Sequence, residues 1–266
     1  MLAKYSKSQI VLFSLIAICT ALSWVYMGVM DHGAPTDTPD SMAGHGSMDA
    51  GMAGHGGMDQ GAPPFGMFVV MWAVMCVAMM LPTAIPMIMC LQRVSERRGD
   101  SGGLLSPPAS FTAGYIVVWI VCGVAAWAVI YGGRMALGEA LMSPGGPMTM
   151  LGILFAVAGV YQLSPLKYAC LKGCRHPASF ILHHWRPGLK GAYMMGSLHG
   201  FICVGCCIAL MAVMTALGMM NLAWMAAFTL LMYVEKNVAQ GMLIGKIAGW
   251  VLIAAGCTMI ASVILS

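Results

Sequence analysis

The chain has 266 residues, of which 60% are hydrophobic and only 8% charged, with a mean hydropathy of +0.84. Soluble domains carry about a quarter charged residues, so the composition excludes a water-soluble globule and points to an integral membrane protein. The formal net charge of +4 is no sign of a nucleic-acid partner, because the basic residues are scattered between apolar runs, where they set topology.

Seven runs, near 9–30, 67–91, 110–133, 148–166, 192–217, 219–236 and 242–265, approach the roughly 20 residues that a helical span requires. The expected fold is all-α, a polytopic transmembrane helical bundle of about seven spans. Residues 1–30 read as an N-terminal signal-anchor helix. Lys4 and Lys7 lead an apolar stretch, Ile10–Met30, that is longer than a signal-peptide core and ends at no clean cleavage site; a cleaved signal is the alternative. Lys4 and Lys7, then Arg93, Arg97 and Arg98, then Lys167, Lys172, Arg175, Arg186 and Lys190, then Lys236 and Lys246 all fall on one side if the N-terminus is cytoplasmic. Arg134 is then the only basic residue outside, as the positive-inside rule prefers.

Residues 31–66 form a flexible extracytoplasmic loop with five Asp and no Lys or Arg. It contains a repeat, MAGHGSMD at 42–49 and MAGHGGMD at 52–59. Thioethers select Cu(I) and imidazoles also suit Cu(II), and neither is lost to disulfide formation in an oxidising compartment. Candidate ligands are His45, Met48, His55 and Met58, with His32, Met42 and Met52 in support. A solvated linker is the competing reading, and zinc or nickel on the histidines is a second metal choice.

Residues 67–266 are expected to form a six-helix membrane domain. Its first helix carries Met67, Met71, Met75 and Met79 at four-residue steps, with Met75 and Met79 as candidate copper ligands. Weak thioether sites in series allow both entry and release of a soft cation, although Met is also a common core filler. Pro82 and Pro86 free backbone carbonyls that must be satisfied within the bundle. In the inner loop, Cys170 and Cys174 share a face if that segment is helical, and His176, His183 and His184 follow.

The densest signal is in the fifth hydrophobic run, HGFICVGCC at 199–207. A helix advances about 100° per residue, which places His199, Cys203, Cys206 and Cys207, together with Met195 and Met214, on one face. Two or three soft ligands from one helix, completed by a neighbour, make the linear or trigonal site that Cu(I) accepts, whereas Zn(II) asks for four in a tetrahedron. Two readings compete. Gly196, Gly200 and Gly205 suit a close helix contact in which the cysteines are merely small, and Cys206 with Cys203 or Cys207 forms a possible redox pair. Cys122 and Cys257 read as small hydrophobes. In the sixth run Asn221, Met225, Met232 and Glu235 share a face, Asn221 suits a helix cap, and Glu235 with Lys236 reads as a boundary pair.

The segments MWAVMCVAMMLPTAIPM (71–87), GVYQLSPLKYACLKGCRHP (159–177), GSLHGFICVGCCIALM (196–211) and GMMNLAWMAAFTLLMYVEK (218–236) resemble an uncharacterised bacterial family of integral membrane proteins, a domain of unknown function described as predicted metal-binding. The resemblance spans roughly 67–237. It implies a multi-span helical membrane protein that handles metal, and it brings no activity with it, since none is established for the family. The family often carries a Trp after the paired cysteines, where this chain has Ile208.

The expected function is copper handling. The periplasmic loop captures copper, and a Met/Cys/His path relays it, as Cu(I), for import or for delivery to a copper chaperone or membrane cuproenzyme. No catalytic residue is assigned. The alternatives are a non-catalytic accessory subunit of a larger membrane complex and an intramembrane thiol oxidoreductase.

Overall fold

A computed structural model describes residues 7–32, 64–99, 106–142, 145–218 and 221–265. The described residues are all helical or in short links: α1 (Lys7–His32), α2 (Phe65–Arg98), α3 (Ser106–Met142), α4 (Gly146–Gln162), α5 (Pro165–Arg175), α6 (Pro177–His184), α7 (Gly188–Leu217), α8 (Leu222–Asn237) and α9 (Gly241–Leu265). Five of them, α1, α2, α3, α7 and α9, are long and apolar enough to cross a membrane. The runs at 148–166 and 219–236 form shorter elements. The first ends at Gln162. Pro165 then starts α5 with Ser164 as its cap, the Ser164 hydroxyl accepting the Lys167 amide, and α5 bends 61° from α4. The second starts only at Leu222, where the Asn221 side chain accepts the Trp224 amide. Its 16 residues extend about 24 Å, short of a hydrocarbon core of about 30 Å.

The helices pack α4 along α9, α3 along α7, and α2 against α1 and α3, while α5 lies on α7 and α8. The closest pairs are made by glycines, since lipid supplies no hydrophobic drive between helices and van der Waals approach must do so instead. Gly152 and Gly159 of α4 meet Gly256 and Gly249 of α9 in antiparallel register, backbone against backbone. On α7, Gly196 lies against the Phe111 backbone of α3, and Gly200 lies against Tyr115 and Val118.

The break that Pro82 makes in the backbone bonds of α2 is accommodated inside the protein. Pro82 offers no amide to the carbonyl four residues back, Ala78, and that carbonyl instead accepts the Trp24 indole N–H of α1 at 3.1 Å. The Thr83 hydroxyl donates to the Met80 carbonyl at 2.8 Å. Pro82, half-buried, therefore sits in the part of α2 that faces the bundle, where Met79, Met80 and Ala84 are buried, whereas Pro86 is exposed.

Gly196→Ala places a methyl on the Phe111 carbonyl, whereas Gly132→Ala meets nothing within 4 Å. Overpacking of this kind destabilises by roughly 1–3 kcal/mol. Heating in detergent followed by size-exclusion chromatography is expected to show a lower midpoint for Gly196→Ala and an unchanged one for Gly132→Ala.

Candidate metal centre

Helix α7 is apolar over most of its length beyond Lys190, so local sequence selects a helix but not a face. The glycines select the face, because α3 can approach only where Gly196 and Gly200 lie. That orientation buries Met195, His199, Cys203, Cys206, Cys207 and Met214. Helix α5 then closes over the middle of α7. Gly205 leaves room for Cys170, whose sulfur lies 2.7 Å from where a Gly205 Cβ would stand, and the Gly205 carbonyl accepts the Tyr161 hydroxyl at 2.5 Å.

One turn further along α5, Cys174 reaches the α7 thiols. Its sulfur is 3.8 Å from Cys206 Sγ, and the sulfurs of Cys174, Cys203 and Cys206 all lie within 4.8 Å of one another. Cys207 Sγ is 3.3 Å from Cys206 Sγ, and the Cys206 thiol donates to the Cys203 carbonyl at 3.1 Å. Metal–thiolate bonds are about 2.3 Å long, so three sulfurs around one ion stand about 4 Å apart. The donor set fits a soft ion in a three-sulfur site, with two ligands from α7 and one from α5.

The charge beside this cluster comes from α8. Lys236 is buried, and its ammonium carries three donors. They face Thr83 Oγ1 at 3.0 Å, Cys203 Sγ at 3.1 Å and Met80 Sδ at 3.9 Å. The Tyr115 hydroxyl lies 3.0 Å from the same Cys203 sulfur. An ammonium and a phenol converging on one thiol form an environment suited to negative charge on sulfur.

Glu235 turns the other way. Its carboxylate accepts the Lys167 ammonium at 2.7 Å and also the Gln162 amide, all three groups being buried. The Arg175 guanidinium donates to the Glu235 carbonyl at 2.7 Å and the Val238 carbonyl at 2.8 Å, which satisfies the open carbonyls at the end of α8. Glu235 and Lys236 are therefore not a boundary pair. They are neighbours on a helix, about 100° apart, and each finds a separate buried partner.

Other candidates are placed as follows. His199 is packed among the rings of Phe111, Tyr115 and Phe180, with centroids 5.8, 5.6 and 5.4 Å away, and its Nδ1 is buried with no hydrogen-bond partner among the described residues. Met75 and Met79 are fully buried on α2, but Met67 is exposed. The α2 sulfur brought to the ammonium is that of Met80, outside the four-residue series. Cys257 is exposed. His176 sits exposed at the junction of α5 and α6. His45, Met48, His55 and Met58 lie outside the described residues.

Lys236, Thr83, Tyr115 and Lys167 were not anticipated as parts of the site. Lys236 and Lys167 carried a usable signal, since an ionisable residue within an apolar run is by default a functional candidate. Their place at the ends of apolar runs fits topology-setting charges as well, and for Lys236 also a boundary pair with Glu235.

A family model described as PpoB2, copper chaperone, matches residues 69–259. No curated protein and no solved structure matches the chain.

Glu235→Gln leaves the Lys167 charge buried without its partner, a change that costs about 3–5 kcal/mol. The single variant is expected to melt well below the parent in detergent, and adding Lys167→Met is expected to restore much of the loss. A double variant no more stable than Glu235→Gln alone would remove the pair from the account.

Proposed function

The chain belongs to the PpoB2 copper chaperone family, and from that premise we propose that it holds Cu(I) in the membrane between Cys174, Cys203 and Cys206 and passes it to a copper-requiring partner. The observation that carries this reading is the convergence of three sulfurs from two helices within 4.8 Å, beside the buried Lys236 ammonium.

Sulfur is the donor that discriminates for Cu(I), and a three-coordinate arrangement suits this ion better than Zn(II). Charge supports the same choice. Two thiolates and one Cu(I) carry a net single negative charge, which Lys236 offsets; a third thiolate adds one more, directed at the Tyr115 hydroxyl and the rest of the polar cluster. In a low-dielectric interior an unbalanced charge is expensive, so the ammonium favours the loaded centre over a neutral thiol cluster of the same shape.

The remainder of the path follows from the sequence. Residues 31–66 are the capture loop, with His45, Met48, His55 and Met58 as ligands, and they face the periplasm of a bacterial inner membrane, the N-terminus being cytoplasmic. Met75 and Met79 lie on α2 between that loop and the thiols. The acceptor is a soluble copper carrier or a membrane cuproenzyme, and the family description favours hand-over to a protein above simple import.

The purified full-length protein, reduced and titrated with Cu(I) against a chromogenic chelator, is expected to retain a tightly held equivalent. Cys203→Ser, Cys206→Ser and Cys174→Ser are each expected to release it at chelator concentrations that the parent withstands. Lys236→Met is expected to bind the same equivalent about tenfold or more weaker, a loss of roughly 1.4 kcal/mol. Unchanged retention in all three cysteine variants would sink the proposal.

A further inference from the structure

Met195, His199, Cys203 and Cys207 follow one another on α7 at four-residue steps, each a rise of about 6 Å along a single face. All four are buried, at 2%, 3%, 0% and 1% exposure. The thiol centre occupies one end of this row. At the other end, Met195 forms part of the wall of a cleft of about 310 Å³ between the end of α6 and the first turns of α7.

The cleft is also lined by His183, His184 and Met194. Both imidazoles are fixed through the same ring atom. His183 Nδ1 meets the Ser179 carbonyl at 2.7 Å, and His184 Nδ1 meets the Phe180 carbonyl at 2.9 Å. A carbonyl only accepts, so Nδ1 carries the proton in each ring, and the lone pair is left on Nε2. This second-sphere arrangement orients an imidazole for a metal. Phe180 joins the cleft to the row: its ring stacks on His184 at 4.8 Å and meets His199 edge-on at 5.4 Å. The His199 Nδ1, on the same row, is buried and has no hydrogen-bond partner among the described residues.

Resting on the reading of the thiols as a Cu(I) centre, we propose that the α6–α7 cleft is a second Cu(I) site, formed by the Nε2 atoms of His183 and His184 with the thioethers of Met194 and Met195, at the mouth of the row leading to Cys203. Its donors are all neutral, so the ion's charge is not offset as it is by thiolates. The exposed Arg186 guanidinium, which donates to Met194 Sδ at 3.4 Å, further weakens the hold on a cation. The cleft is accordingly the weaker site and the one from which copper exchanges with a partner.

The test uses the full-length protein with His32, His45 and His55 changed to Ala, so that imidazole ligands of the 31–66 region are removed. Cu(I) is added anaerobically as its acetonitrile complex, and bound ions are counted by chelator competition and X-ray absorption. The expected result is a tight equivalent with a sulfur shell, then a weaker one showing imidazole scattering. His183→Ala with His184→Ala loses the second equivalent and its imidazole signature and keeps the first; His176→Ala, as a control, keeps both. His183, His184 and His176 are exposed, so these changes open no cavity in the core. A parent that shows only the sulfur-bound equivalent, or an imidazole-bound equivalent that survives the double change, overturns the proposal. Failure of the thiol reading is separately visible, as Cys203→Ser with Cys206→Ser then leaves the tight equivalent in place.

Discussion

The arrangement depends on one buried ammonium. Lys236 is enclosed by Cys203, Thr83 and Met80, three groups from α7 and α2. A charge at this depth persists only where every donor finds an acceptor and some neighbour carries opposite charge. Cys203 is the acidic partner within reach, and Tyr115 adds a further donor to the same sulfur. The adjacent residue, Glu235, is held by Lys167 and Gln162. Two consecutive residues of α8 thus pin two different elements. Lys236 fastens α7, Glu235 fastens the α4–α5 bend, and Cys174 is carried to within 3.8 Å of Cys206 as a result.

The apolar packing serves this polar centre. Gly196 and Gly200 let α3 close on α7, which brings Tyr115 to Cys203, and Gly205 lets α5 settle so that Cys174 reaches the same pocket. The small residues and the thiols are therefore not rival explanations of the α7 face. Close approach of the backbones is what makes three sulfurs from two helices meet.

The all-helical class, the thiol face of α7 and the shared face of Cys170 and Cys174 were legible because each is a matter of composition or of a 3.6-residue period. Asn221 as a cap was legible for the same local reason. The break after Gln162 was misplaced because the hydropathy of 148–166 hides what Ser164 and Pro165 do to the backbone. Lys236 and Lys167 were misread because no local pattern tells whether the end of a run faces water or another helix. The methionine series on α2 shows the same limit. Four-residue spacing drifts around a helix by about 40° per step, so Met67 ends up exposed while Met80, outside the series, meets the ammonium.

Because opposite charges occupy consecutive positions on α8, this helix has no freedom to slide or rotate. Adding or removing a single residue before Glu235 would turn the pair by about 100°, carrying a carboxylate toward the thiols or an ammonium toward Lys167. Arg175, clasping the carbonyls of Glu235 and Val238, marks the same phase from outside. The length of the stretch from Asn221 to Val238 is therefore held by electrostatics, and inserted or deleted residues are tolerable only in the connections on either side of it.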